Sequence, residues 1–209
     1  NMQNKNYAAI DIGSNGARLL IKNVSEDNMG NAEFSKVLFI RIPLRLGKDV
    51  FTLGEIPEEK QRMIMCMIKG YKQMMKLYNV NTYRACATSA MRDARNGEKV
   101  LKKIMKKTGI NIEILNGSEE ANILLNNAIE SAESTNGNYA YVDVGGGSTE
   151  VSLICNGKLV GSRSYNIGTL RMLSGAVSPD TLEQIKKDCE NYADKYSDIV
   201  IVGSGGNIN

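Results

Sequence analysis

Histidine is missing from all 209 residues. Its absence rules out Ser-His-Asp and Cys-His nucleophilic catalysis and every histidine-containing metal site. Acid–base chemistry is left to carboxylates, lysine and tyrosine. Cysteine is scarce and unpatterned. Cys66, Cys86, Cys155 and Cys189 show no CxxC spacing, which argues against a zinc site or disulfides. The first three sit in apolar runs and read as buried, reduced thiols of a cytoplasmic protein. No stretch reads as a signal peptide, and no apolar run is long enough to span a bilayer. Excess charge is also small: 26 Lys and Arg against 23 Asp and Glu leave a net of +3. That is too mild for a nucleic-acid binder, although it favours anionic substrates. The 42% hydrophobic content suits one large or two modest domains.

What the chain does have is glycine placed between strands. Tyr141-Val-Asp-Val-Gly-Gly-Gly-Ser-Thr-Glu150, followed by Val151 to Ile154, reads as two buried strands joined by a glycine hairpin. Three successive glycines in a strand signal cost backbone entropy, and they make sense where a backbone must approach something closely. Gly145, Gly146, Gly147, Ser148 and Thr149 offer several N–H groups and two hydroxyls, a means of holding phosphate. The flanking Asp143 and Glu150 would repel a bare phosphate. They suit one that arrives with a cation or is attacked by activated water. The same order occurs 132 residues earlier, with Asp11, a Gly13-Ser14-Asn15-Gly16 turn and a second strand through Ile21. Two copies, each with Asp before the turn and Ser within it, point to a duplicated phosphate loop.

Around these loops the pattern alternates strands and helices. Residues 33–45 read as a third strand whose Arg41 and Arg45 protect a sheet edge. Pro57 opens a helix to Tyr78, with Met63, Met65, Met67, Met74 and Met75 as its core face. After a strand at Tyr83 to Thr88, Ser89 reads as an N-cap and Asn96-Gly97 as a stop. Arg92 and Arg95 fall just after that strand end, where ligands sit in open α/β sheets. A helix from Glu98 to Thr108 carries Lys99, Lys102, Lys103, Lys106 and Lys107, which fit a solvated face or a polyanion surface. Beyond a short strand at Asn111 to Leu115, Ser118 is placed to cap a helix running through Leu124, Leu125 and Ile129. Glu119 and Glu120 lie in its first turn. Dipole complementation explains one of them and leaves room for a catalytic carboxylate. Polar residues 131–137 mark the crossing into the second half. That half repeats strand–loop–strand, then adds a strand at Leu159 to Ile167, a short helix after Gly168 and a helix from Pro179 to Lys195. A buried strand, Asp198 to Val202, follows and leads into a third loop, Gly203-Ser-Gly-Gly206. With no closing helix after it, the second domain reads as incomplete at its C-terminus. The expectation is an α/β protein of two domains, 1–130 and 131–209.

Together these stretches resemble the exopolyphosphatase and guanosine pentaphosphate phosphohydrolase family, within the actin, Hsp70 and sugar-kinase fold group. The resemblance rests on Ala9-Ile-Asp-Ile-Gly-Ser-Asn15 with Arg18-Leu19, and on Ala87-Thr-Ser-Ala90 with Arg92. It continues through Gly117-Ser-Glu-Glu-Ala121 and Val142 to Glu150, and ends with Gly168, Leu170-Arg171 and Gly203 to Gly206. It implies two actin-like (ribonuclease H-like) domains facing a cleft, their hairpins clamping phosphates from either side. Glu120 is then the residue that positions and deprotonates the attacking water. Asp143 and Glu150 help to hold Mg²⁺ or the water, with Asp11 near the metal. Ser14, Asn15, Arg18, Arg92 and the backbone of Gly145, Gly146, Gly147 and Ser148 contact the phosphates. Gly16 stands where relatives commonly carry serine, so one hydroxyl is lost.

The expected activity is release of terminal phosphate from polyphosphate or guanosine pentaphosphate, with Mg²⁺ as cofactor. Neither nucleic acid nor membrane is expected as a partner, and a homodimer is the default assembly. A glutamate acting as base calls for a raised pKa, which a neighbour such as Glu119 or Asp143 supplies. Two alternatives share the fold: an ATP-dependent sugar or metabolite kinase, and a non-catalytic nucleotide-binding regulator. The Glu119-Glu120 pair argues against the regulator, which has no need of a base.

Overall fold

Strand alternation sets up the first sheet. In β1 (Lys5–Ile12) Ala8, Ile10 and Ile12 point inward, and in β2 (Ala17–Glu26) Ala17, Leu19 and Ile21 do the same, the period-two pattern of a half-buried strand. β3 (Ala32–Ile42), β4 (Val80–Ala87) and the two-residue β5 (Glu113–Ile114) complete the order β3-β2-β1-β4-β5. β1 runs antiparallel to β2 and parallel to β4. The helices are α1 (Leu46–Leu53), α2 (Glu58–Leu77), α3 (Ser89–Asp93) and α4 (Gly97–Thr108). The structure, a computed structural model, describes residues 5–26, 29–123 and 137–205. By contacts the chain divides into Asn1–Ile114 and Leu115–Asn209, earlier than the 130/131 boundary read from the sequence.

The second unit repeats the first. Its elements are α5 (117–123 among the described residues), β6 (Asn138–Val144), β7 (Thr149–Cys155), β8 (Lys158–Tyr165), α6 (Thr169–Leu173), α7 (Pro179–Lys195) and β9 (Ile199–Ser204). Its sheet order is β8-β7-β6-β9. The strand senses match those of β3-β2-β1-β4, antiparallel between the first three and parallel for the last. Asn156 and Gly157, with φ of 49° and 73°, form the tight turn between β7 and β8. Two mixed sheets with helices thus meet the α/β expectation.

Several local expectations are corrected. The core stripe of α2 is Ile64, Met67, Ile68, Tyr71 and Met75. Met63 and Met74 fall off that stripe and are exposed, because the 3.6-residue period admits only one face. α1 was not foreseen; Arg45, with φ of 53°, turns the chain into it. Asn96 opens α4 rather than stopping α3, and its amide exchanges two 2.9 Å hydrogen bonds with the backbone of Ile56. β9 is not buried. It lies at a sheet edge with Val200 and Ile201 53% and 73% exposed. Cys66 is exposed, whereas Cys155 is buried. The sequence-expected helix residues Leu124, Leu125 and Ile129, most of the 131–137 crossing, and Gly206 lie outside the described residues. No described helix is long and apolar enough to cross a membrane.

α7 has no buried residue and is tied to its sheet by a polar cluster instead. Asp188 accepts hydrogen bonds from Arg163, Tyr165 (2.8 Å) and Gln184 (2.9 Å). Burial alone would raise the Asp188 pKa. The hydrogen bonds from Arg163, Tyr165 and Gln184 outweigh it and hold the carboxyl below the ordinary range. A depressed folded pKa gives stability that is present above the unfolded value and lost as pH falls. Acid denaturation monitored by circular dichroism is therefore expected to show wild-type stability falling below about pH 4. Asp188→Asn should be weaker at neutral pH, with a flatter acid profile. Parallel profiles for the two proteins would contradict this anchoring role.

Candidate functional site

The two hairpins share one backbone pattern. Gly13 N–H donates to the Gly16 carbonyl at 3.0 Å, and Gly145 N–H donates to the Ser148 carbonyl at 2.9 Å. In each unit the chain leaving the third strand then fastens the loop from behind. Arg45 and Gly47, at the start of α1, donate backbone N–H groups to the Asn15 and Ser14 carbonyls, each at 2.8 Å. At the start of α6, Thr169 N–H reaches the Gly145 carbonyl at 3.1 Å. Leu170 and Arg171 N–H reach the Gly146 carbonyl at 2.8 and 3.1 Å. The buried Arg171 side chain adds Nε to the Gly147 carbonyl at 2.7 Å.

This fastening has a directional consequence. A trans peptide is planar, so a carbonyl and the following N–H point opposite ways, and the described chain has no cis peptide. With the carbonyls of residues 145, 146 and 147 held by α6, the N–H groups of Gly146, Gly147 and Ser148 face away from it. In the first loop the same holds for Asn15 and Gly16. Among the described residues none of these five amides has an acceptor. Gly146, Gly147 and Ser148 are buried, and buried amides without partners are rare. A row of such amides is an anion cradle. Gly168 permits the approach, since a Cβ there would lie 2.6 Å from Gly146 C and Gly147 N.

Side-chain hydroxyls contribute less than expected. Ser14 is buried, its Oγ 2.7 Å from Ser89 Oγ and accepting from Ala90 N–H at 3.2 Å. Ser89 therefore joins loop to helix, and Thr88 occupies the N-cap position of α3. Thr149 donates its hydroxyl to the Ile167 carbonyl at 2.7 Å.

Although the backbones match, the side-chain rows beside them differ. Register partners share a sheet face. In the first unit that row is Arg41, Arg18, Asp11 and Cys86, with Arg18 paired to Asp11 at 3.3 Å and both half-exposed. In the second it is Ser164, Glu150, Asp143 and Ser204. Glu150 is buried and accepts from the Ser164 hydroxyl at 2.7 Å. Gly205, with φ of 109°, keeps the chain close to Asp143; a Cβ there would lie 2.8 Å from Asp143 Oδ1. Tyr71 lies under the first row. Its pKa is pushed up to about 12, by burial first and then by the charge of Asp11.

The glutamate pair is resolved by the start of α5. Asn116, not Ser118, caps this helix. Its Oδ1 accepts from Glu119 N–H at 2.9 Å, and Glu119 Oε2 accepts from Asn116 N–H at 2.8 Å, a reciprocal capping box. Glu119 is thereby assigned to the cap. Glu120 is half-buried with Oε2 fully enclosed. Gly117, three residues before it, packs on Ser164, where an added Cβ would lie 2.9 Å from Ser164 Cβ. The base of α5 thus adjoins the residue that holds Glu150. In the first unit Arg92 follows Ser89 by one turn, and its N–H donates to the Thr88 carbonyl at 3.0 Å.

Among the described residues no three acids cluster to form a complete metal cage. Asp143 and Glu150 are adjacent oxygen donors, and Mg²⁺ is commonly held by one or two carboxylates together with substrate phosphates. The donor set fits that ion. Arg171 and Ser164 had no expected role at the site. Arg171 reaches the loop across 24 residues of sequence, and only the register pairs Ser164 with Glu150.

Duplicated α/β units of this strand order, each presenting an amide-lined hairpin, define the actin-like fold class. The chain belongs to the Ppx/GppA phosphatase family, whose sequence model matches residues 24–197. It is 34% identical over 172 residues to a bifunctional 3-dehydroquinate synthase/phosphatase of Fusobacterium nucleatum, covering 79% of this chain and 25% of that protein. It is 29% identical over 185 residues to exopolyphosphatase 2 of Mycobacterium tuberculosis, covering 85% of this chain and 57% of that protein. The chain thus spans only part of the length of these relatives. Among solved structures, the Aquifex aeolicus Ppx/GppA family member superposes with a TM-score of 0.71 at 26% identity, covering 97% of this chain and 67% of that one. An exopolyphosphatase from Cytophaga hutchinsonii shares the fold with a TM-score of 0.82 at 21% identity, covering 95% of this chain and 66% of that one.

The cradle makes a specific demand on Gly168. Gly168→Ala is expected to displace the Gly146–Gly147 backbone and to weaken tripolyphosphate binding by about tenfold or more, the equivalent of one lost charge-assisted hydrogen bond. Isothermal titration calorimetry measures this. Unchanged affinity in a folded variant would show that the amides are not the anion's ligands.

Proposed function

We propose that the protein is a phosphoanhydride hydrolase that releases terminal phosphate from inorganic polyphosphate or guanosine pentaphosphate in the cytoplasm. The observation that carries this reading is the loop Gly145 to Ser148: the carbonyls of residues 145–147 are tied by α6, and the amides of residues 146–148 point away from it beside the acidic row of Asp143 and Glu150. Family membership and the exopolyphosphatases among the relatives support the same chemistry.

Cleaving a terminal phosphoanhydride needs charge neutralisation, in-line positioning and a base for water. The amides of Gly146, Gly147 and Ser148 hold phosphoryl oxygens without reorganising, and Asn15, Gly16, Arg18 and Arg92 serve as further phosphate contacts. Asp143 and Glu150 would hold Mg²⁺, which when bound offsets the negative charge on the phosphoryl oxygens. Ser164 orients Glu150 by its 2.7 Å hydrogen bond. Glu120 accepts a proton from the attacking water as the water oxygen bonds to the terminal phosphorus. The anhydride P–O bond breaks, and its oxygen leaves on the shortened chain. Glu119 serves the helix cap, and the base role is assigned to Glu120.

Glu120→Gln is expected to lower phosphate release from polyphosphate by about 10²–10⁴-fold, the usual contribution of a general base, while leaving polyphosphate affinity within about twofold of wild type. A phosphate-release assay paired with equilibrium binding separates the two effects. Near-normal turnover would remove Glu120 from the mechanism.

A further inference from the structure

The cations of this chain are not spread evenly. Residues 58–108 hold thirteen Lys and Arg against four Asp and Glu, a net of +9 in a chain whose total is +3. Much of this charge lies along α3 and α4. A groove of about 640 Å³ is lined by Arg92, Arg95, Glu98, Lys99 and Lys102, with Met91, Ala94 and Ile114 on its floor. Lys99, Lys102, Lys103, Lys106 and Lys107 extend it along one face of α4 at three- and four-residue spacings, all exposed. From Lys99 to Lys107 the stripe runs about 12 Å at the helical rise per residue.

A merely solvated face does not explain this arrangement. Lys99–Lys103, Lys102–Lys106 and Lys103–Lys107 are like-charged four-residue pairs, which destabilise a helix. Acidic neighbours relieve only part of the charge: Glu98 pairs with Lys102 at 3.4 Å, Glu55 with Arg95 at 3.2 Å, and Asp93 lies 3.9 Å from Arg92. No other ion pair involves a lysine of α4 among the described residues. The apolar face of α4, with Val100, Leu101 and Ile104 buried, anchors the helix to the core, so the cationic face is fixed in place. The groove also has a direction. It begins at Arg92, one turn beyond the Ser14–Ser89 contact with the first loop, and leads away from that loop. Among the described residues its lining has no aromatic side chain, hence no platform for stacking bases.

We infer that the α3–α4 groove and its lysine stripe form a second anion site, which holds the non-reacting part of a long, base-free polyphosphate chain. This rests on the polyphosphate reading above and adds to it a preference for long substrates. Many weak contacts along a flexible polyanion give binding that is strongly salt-dependent.

The test is the triple variant Lys99→Glu, Lys102→Glu, Lys106→Glu in the full chain, with the corresponding Gln triple as a milder partner. Phosphate release is followed with tripolyphosphate and with long-chain polyphosphate. The expected result is a KM for the long chain raised about tenfold in the Glu triple, less in the Gln triple, with kcat and the tripolyphosphate constants unchanged. Equal effects on both lengths, or none on the long chain, would overturn the assignment. Fluorescence-anisotropy binding of labelled long-chain polyphosphate without added metal is the second arm. If wild type releases no phosphate from either substrate, the proposed activity fails, and this arm alone decides the groove. Weaker binding by the Glu triple then supports it, and unchanged binding overturns it. Displacement of polyphosphate by single-stranded oligothymidine at equal phosphate concentration would also overturn it, as the mark of a nucleic-acid surface.

Discussion

Everything proposed for this chain depends on how the hairpin carbonyls are held. A glycine loop left to itself has no preferred side for its amides. Here the segment after the third strand of each sheet takes up the loop carbonyls, through α1 in the first unit and α6 in the second. Planarity of the peptide then orients the following N–H groups the other way. In the second loop Arg171 adds a charged donor from a buried position. A cradle set before any ligand arrives need not reorganise as negative charge develops, which is the condition for effective electrostatic stabilisation.

Duplication supplies the frame and divergence supplies the division of labour. Both sheets put an aspartate on the strand entering the loop, and both close the loop with the same Gly-to-third-residue hydrogen bond. The neighbouring strand differs. Arg18 beside Asp11 makes the first row suited to phosphate oxygens. Glu150 beside Asp143 makes the second suited to a hard cation and water. The actin-like fold permits many chemistries, so it is these rows and Glu120, not the fold, that argue for hydrolysis.

Much of this was legible in the sequence because its signals are local. The paired Asp–Gly–Ser loops and the Pro179 start of α7 follow from residues within a few positions of one another, whereas the choice of Glu120 over Glu119 is an implication of the family resemblance. What escaped depends on distant partners. Arg171 meets the Gly147 carbonyl, and Ser14 meets Ser89 across 75 residues. Ser118 has the identity of a helix cap, but the box that forms at α5 joins Asn116 and Glu119. The five methionines of α2 dominate its apolar pattern and mask the Ile64–Ile68–Tyr71 stripe that packs. β9 has the composition of a buried strand but occupies a sheet edge, and composition does not report strand order.

The most direct measurement is backbone amide NMR on the ¹⁵N-labelled chain during titration with tripolyphosphate. The account predicts saturable shifts concentrated at Gly146, Gly147 and Ser148 and at Asn15 and Gly16, where amides face away from fastened carbonyls. Shifts confined to surface lysines, with these five amides unmoved at saturation, would contradict it.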